Sequence, residues 1–336
     1  MQFRQLKRRE FISLLSSAAT TWPLVARAQQ PDGTRRIGVL MGYPESDSEA
    51  QANIAAFREG LEKLGWVEDR NIRFDTRWAT PEDAEARQRF AKELVALQPD
   101  LILSHTTPTT AALLEQTRTI PIIFANVSDP IGSGFVASFR QPGGNVTGFN
   151  VSEPTLAGKL VELLKEIAPR VARVAMLFNP ATATYAEYWL NPFKASAASF
   201  AVVAIEARVR DRSELEPVFA AQAREPNGGL IVMSDSFALA HSVEITSLAA
   251  RYRLPVVYPY RLFVGVGGLL SYGVDLTDCF RRAATYADRV LKGTKPNELP
   301  VQAPVKFELI INIKTAKALG LDVPAHLQQL ADELIE

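Results

Sequence analysis

Ile37-Gly38-Val39-Leu40-Met41 is an unbroken apolar run, and the chain behind it changes period at once. From Ser46 to Leu64 the apolar residues Ile54, Phe57, Leu61 and Leu64 recur at spacings of three, four and three, which places them on one helix face. Gly65 follows where a helix end favours glycine. A strand apolar on both faces, followed by an amphipathic helix, is the unit of a parallel sheet, because a parallel neighbour is reached only through a crossover.

The alternation continues outward from this unit. Asn71 to Trp78 reads as a strand, Pro81 to Leu97 as a helix and Leu101-Ile102-Leu103 as a strand. A helix over Thr109 to Thr117 and a strand over Ile120 to Phe124 follow. The rhythm then breaks at Gln141-Pro142-Gly143-Gly144-Asn145-Val146-Thr147-Gly148, a cluster of turn formers that predicts a crossing between lobes. Beyond it a second series runs on. Strands are expected at Arg173 to Phe178, Ala201 to Ala207, Gly229 to Met233 and Pro255 to Tyr258. Helices are expected at Thr155 to Ala168, Ala183 to Ser199, Ser213 to Ala223 and Ala238 to Arg251. Gly267 to Gly273 reads as a strand returning across the interface, Thr277 to Leu291 as a long amphipathic helix and Lys306 to Asn312 as a last strand, with two short helices after it. The fold class is therefore α/β, two doubly wound Rossmann-like lobes joined by a three-segment hinge. The predicted lobes are 35–147 with 272–299, and 148–271 with 300–336.

The N-terminus carries a different signal. Lys7-Arg8-Arg9-Glu10-Phe11 precedes an apolar run from Phe11 to Val25 that ends in Ala26-Arg27-Ala28. A basic start, a short apolar stretch and a small-x-small site describe an export signal, and paired arginines point to the twin-arginine route. Residues 1–28 are thus expected to be removed and the protein to be periplasmic. The run is too short to span a bilayer.

The whole chain of 336 residues has 37 basic and 37 acidic side chains. Residues 1–28 hold five of the basic and one of the acidic ones, which leaves a net charge of −4 on the rest. No basic surplus is present for phosphates, so nucleic acid is not an expected partner. Cys279 is the only cysteine, so no intramolecular disulfide can form; it is expected to be a buried apolar residue. The three histidines, His105, His241 and His326, lack metal-ligand spacing. Neither a nucleophile elbow nor a phosphate-binding glycine loop occurs. The expectation is a non-enzyme without cofactor or metal.

Ligands of open parallel sheets bind beyond the carboxyl ends of the strands. The residues there are Tyr43, Trp78, Ser104, His105, Thr106, Thr107, Asn126, Ser128 and Asp129 in the first half, and Asn179, Asp235 and Tyr258 in the second; Tyr272 lies on a crossing. Hydroxyls and aromatics with a few carboxylates suit a small solute that is partly polar. Ser104 to Thr107 precede a helix and can either cap it or receive a carboxylate. Asp129 before Pro130 can hold a turn. Asp235, between Ser234 and Ser236, can cap the next helix or receive an ammonium.

The chain resembles the substrate-binding proteins of ABC transporters, in particular tryptophan and aromatic amino-acid binders. The likeness rests on Arg36-Ile37-Gly38-Val39-Leu40, Leu64-Gly65-Trp66, Ile120-Pro121-Ile122-Ile123-Phe124, Asp129-Pro130-Ile131, Pro142 to Gly148, Gly267 to Gly273, Leu291-Lys292-Gly293 and Lys314 to Leu321. It implies the type I periplasmic binding protein fold and a monomeric receptor that passes a small-molecule solute to an ABC permease in the inner membrane. It also implies a ligand carboxylate held at Ser104 to Thr107 and Asn126 to Ser128, an ammonium at Asp235, and no catalytic residues. His105-Thr106-Thr107-Pro108 departs from the small residues that the family pattern has there. Two other readings remain open at this level, an exported ligand sensor for a signalling partner and a twin-arginine-exported enzyme.

Overall fold

In the first sheet every strand runs parallel to its neighbours, in the order β2-β1-β3-β4-β5. The computed structural model describes residues 33–153 and 155–336. The expected signal, residues 1–28, lies outside the described residues. The sheet is built from β1 (Arg35–Met41), β2 (Ile72–Trp78), β3 (Leu101–Thr106), β4 (Ile122–Val127) and β5 (Val146–Asn150), with α1 (Ser48–Lys63), α2 (Ala84–Ala96) and α3 (Thr107–Gln116) between them. Residues Ile37 to Met41 are all buried, as the apolar run requires, and α1 buries Ile54, Phe57 and Leu61 against the sheet. Asp47 caps α1 by accepting the Ala50 N–H at 2.7 Å.

The second sheet has the order β12-β11-β10-β9-β8-β6-β7. Its strands are β6 (Arg173–Phe178), β7 (Val203–Arg208), β8 (Gly228–Val232), β9 (Val256–Tyr258), β10 (Leu270–Val274), β11 (Phe307–Asn312) and β12 (Glu333–Ile335). Its helices are α4 (Leu156–Ile167), α5 (Ala186–Ser199), α6 (Leu215–Ala223), α7 (Ser236–Ala240), α8 (Ser242–Arg251), α9 (Arg261–Gly265), α11 (Ile313–Leu319) and α12 (Ala325–Leu330). The remaining helix, α10 (Leu276–Leu291), returns to the first lobe and packs on α1. There Gly60 lets the helices meet, since a Cβ would lie 2.7 Å from the Ala284 side chain and 3.1 Å from the Arg281 carbonyl.

The chain crosses between lobes three times: after β5, between β10 and α10, and between Gln302 and β11. Gln302 still belongs to the first sheet's margin, where it donates to the Gly148 carbonyl and accepts from the Asn150 N–H, each at 2.9 Å.

Four elements differ from the sequence expectation. The turn-rich segment at 141–148 ends in a strand, β5, which pairs with β4 through a register shift. The helix expected from Ala238 to Arg251 is two helices, broken at His241. Arg261–Gly265 is helical, and Glu333–Ile335 pairs with β11. The second sheet is also not wholly parallel, because β11 re-enters from the hinge and runs antiparallel to β10.

Candidate functional site

The carboxyl ends of the two sheets face one another across a narrow chamber. Lobe one contributes Tyr43, Thr106, Thr107, Pro108, Asn126 and Ser128; lobe two contributes Thr182, Tyr185, Ser234, Asp235, Ser236 and Tyr260. About 10 Å³ is left between these walls. That is roughly what one water needs.

On the first wall the hydroxyls are organised by the start of α3. Thr106 caps the helix, and its own N–H donates to Thr109 Oγ1 at 2.8 Å, so the two threonines satisfy each other. The Ser128 N–H donates to Thr107 Oγ1 at 3.4 Å and ties the end of β4 to the same turn. Gly42, at the end of β1, makes room for this turn: a Cβ there would lie 2.7 Å from the Thr106 side chain. No charged side chain lines this wall.

On the second wall one charge dominates. Asp235 is 3% exposed and caps α7 through the Phe237 N–H at 3.1 Å. It also accepts the Asn179 N–H at 2.8 Å and the Thr182 hydroxyl. None of these donors is charged. Burial therefore prevails over the three hydrogen bonds and pushes the Asp235 carboxyl up to about 6. Tyr185 donates to the Ser234 carbonyl, and Ser234 Oγ pairs with the Tyr260 hydroxyl. Burial drives the phenols of Tyr43, Tyr185 and Tyr260 well above the usual tyrosine range, so all three stay neutral. The shielded Ser236 hydroxyl has no partner among the described residues.

Of the residues expected from sequence, the chamber brings together Tyr43, Thr106, Thr107, Asn126, Ser128 and Asp235. The others are placed elsewhere, each for a visible reason. β3 runs on to Thr106, three residues past the expected end, so Ser104 and His105 lie inside the strand. Ser104 bonds to Thr109 and Thr110 at 3.0 and 2.8 Å. His105 is held between the rings of Tyr43 and Phe280, and burial lowers its imidazole to about 3. It is neutral, and its Nε2 has no partner among the described residues. Trp78 ends the outermost strand, on the far side of β1. Asp129 accepts the Gly132 N–H at 2.8 Å in its own turn. Asn179 turns back to the Arg210 carbonyl at 3.0 Å and the Ala181 N–H at 2.8 Å. Tyr258 is stacked on Phe263 inside lobe two, and Tyr272 packs on Phe307.

Sequence reasoning passed over Thr182 and Tyr185, which follow β6 by several residues and have no motif around them. Tyr260 stands at a strand end that the sequence marks, beside Tyr258; the strand stops at Tyr258, and Tyr260 lies past it at the start of α9, where it lines the chamber. Cys279 is buried, and its thiol is pushed up to about 12 by burial.

One contact spans the cleft mouth. His241 Nε2, at the break between α7 and α8, lies 2.9 Å from Glu82 Oε1 of lobe one. Glu244, itself held by Arg212 at 2.7 Å, stands 3.8 Å from the other ring nitrogen.

The family model of ABC transporter substrate-binding proteins matches residues 44–335. The chain belongs to this family. It is 25% identical over 332 residues to the tyrosine-binding protein of Clostridioides difficile (strain R20291), covering 94% of each chain. Among solved structures, a conserved domain protein of Vibrio cholerae is 28% identical with a TM-score of 0.83, over 90% of this chain and 99% of that one. The ABC domain from Streptococcus pneumonia in complex with L-Trp is 26% identical with a TM-score of 0.82, over 90% and 100%. The fold is that of the type I periplasmic binding proteins.

Proposed function

We propose that the protein is a periplasmic receptor that encloses an amino-acid solute between its lobes and delivers it to an ABC permease. The observation that carries this is the polarity of the chamber. Uncharged hydroxyls at the start of α3 stand on one side, and on the other a buried carboxylate that has no cationic partner among the described residues. A zwitterion fits this pair of walls. Its carboxylate accepts from Thr107, Ser128 and Asn126, and its ammonium donates to Asp235, leaving the solute's charges compensated on burial. The unpartnered Ser236 hydroxyl is a further donor for the same head group. The two relatives named for tyrosine and tryptophan support an amino-acid ligand.

The chamber as it stands admits little more than a water, so the lobes part to admit solute and close around it. A thermal-shift screen of the amino acids, followed by native mass spectrometry, tests the reading. At least one amino acid is expected to raise the melting temperature in a concentration-dependent way, by linkage to the folded state. Stabilisation only by sugars, or a retained flavin or metal in place of an amino acid, overturns it.

A further inference from the structure

A hollow of about 550 Å³ lies in lobe two, at the other edge of the sheet from the chamber. Leu254 stands just before β9, Leu269 just before β10, and Asn312 ends β11, which runs antiparallel to β10. These three lining residues are therefore at the amino ends of the parallel strands, whereas the chamber lies at the carboxyl ends. Residues of α8 and α11 complete the lining, and none of it is shared with the chamber. The volume is that of a small-molecule site. Ala249, Leu254, Tyr258 and Leu269 are buried, and Arg253 and Lys314 are exposed. No acidic residue lines the hollow, and neither cation pairs with a carboxylate among the described residues. The threonines of the lining are engaged: Thr246 Oγ1 donates to the Ser242 carbonyl at 2.9 Å and Thr315 Oγ1 to the Gly267 carbonyl at 3.0 Å. The shielded Tyr258 hydroxyl has no partner among the described residues. Arg253 is also marked by its backbone. It follows α8 with φ 52°, in the left-handed region that favours glycine, and the turn is closed by the Leu254 N–H on the Ala249 carbonyl at 3.0 Å. A cation thus stands beside the hollow where glycine would be less strained.

We propose that this hollow is a second ligand site, separate from the interlobe chamber, for a small carboxylate with an apolar body, whose charged end is met by Arg253 and Lys314 and whose body covers Ala249, Leu254 and Leu269. The site does not depend on what the chamber holds. The two cations offer charge-assisted hydrogen bonds to a carboxylate, and no acid of the lining competes for them. The apolar residues take the body out of water. A ligand with charge but no body leaves those residues bare, and one with a body but no charge leaves the cations to solvent.

Calorimetric titration of the full chain with decanoate, decanol and inorganic phosphate tests the site. Decanoate is expected to bind about tenfold more tightly than decanol, the sum of two partly exposed charge contacts, and phosphate not detectably. Arg253→Gly, which suits the backbone, and Lys314→Gln should each weaken decanoate about threefold and leave decanol unchanged, with thermal melting preserved or raised. Ala318→Trp, which narrows the hollow from α11, should weaken decanoate and decanol alike. A wild type that binds no decanoate, or binds it no better than decanol, overturns the site. So does a double variant, Arg253→Gly with Lys314→Gln, that binds decanoate as the wild type does.

Discussion

The two walls of the chamber solve opposite problems. The lobe-one wall is neutral and self-satisfied: Thr106 and Thr109 close a reciprocal cap, and Thr107 takes the Ser128 N–H. The lobe-two wall carries a carboxylate in three neutral hydrogen bonds, which do not offset the cost of burying its charge. One wall is therefore stable in the empty protein, and the other is completed only by something that enters. On the proposed reading, the difference locates the selection for a charged solute: the first wall orients it, and the second takes its positively charged donor.

The largest expected effect comes from Asp235→Asn. The amide oxygen can keep the Phe237 N–H and the Thr182 hydroxyl, so α7 stays capped; its NH2 then faces the Asn179 N–H, and this lost acceptor and the removal of a buried charge act on stability in opposite directions. Binding of an ammonium-bearing solute should weaken by about 2–5 kcal/mol, because the partner charge is left buried without compensation. Calorimetry and thermal melts on the one variant separate the two quantities. Unaltered affinity would mean that the walls do not differ in the way described, and that the solute lacks an amine.

The pH dependence sharpens the same comparison. The carboxyl of Asp235 is raised from 3.8 to about 6 in the empty fold. Between these values the native state holds a proton that the unfolded chain has released, so the contribution to stability is present at the acid end and is lost as pH rises through about 4 to 6. The loss amounts to about 3 kcal/mol at most. Solute binding has the opposite sign, since an ammonium requires the ionised carboxylate; affinity should fall about tenfold per unit as pH drops below about 6. Glu49, lifted to about 7 by burial and by Asp47, shares the sign of the first effect. The subtraction of Asp235→Asn from wild type isolates the Asp235 part, and a variant with an undiminished acid slope would break the assignment.

The smallest effect belongs to the contact at the mouth. Glu82 and His241 are the pair that bridges lobes there, and Glu82 is 47% exposed. Partly exposed pairs of this kind contribute about 0.2–1 kcal/mol. Glu82→Gln should therefore quicken solute release a few-fold by favouring the open form, and combining it with His241→Gln should add little. Stopped-flow release measured on the two single variants and the double variant gives the coupling; strict additivity would show that the contact does not latch the lobes.

Much of this architecture is legible in the sequence because strand and helix periods alternate cleanly, as in Ile37 to Met41 followed by Ile54, Phe57, Leu61 and Leu64. What was not legible has local causes. β5 hides within turn formers because a margin strand buried by neighbouring chain needs no strong propensity of its own. Ser104 and His105 read as ligand positions because the apolar run stops at Leu103, whereas the strand continues through two polar residues that find partners inside the lobe: Thr109 and Thr110 for Ser104, and the Gly42 N–H at 3.4 Å for His105. Tyr185 and Thr182 reach the chamber from the loop and turn after β6, and no period marks a residue that arrives from a loop.

The threefold crossing has a consequence for how the molecule is made. The first sheet has all five strands once Asn150 has emerged, yet the helix that covers it, α10, arrives only at 276–291. The second sheet waits longer still, for β11 and β12 at 307–312 and 333–335. The first lobe cannot close before α10 is available, and β10 stays an open border until β11 can pair with it. A nascent chain of this topology therefore carries two half-built units at once, the first completed by α10 and the second by β11 and β12.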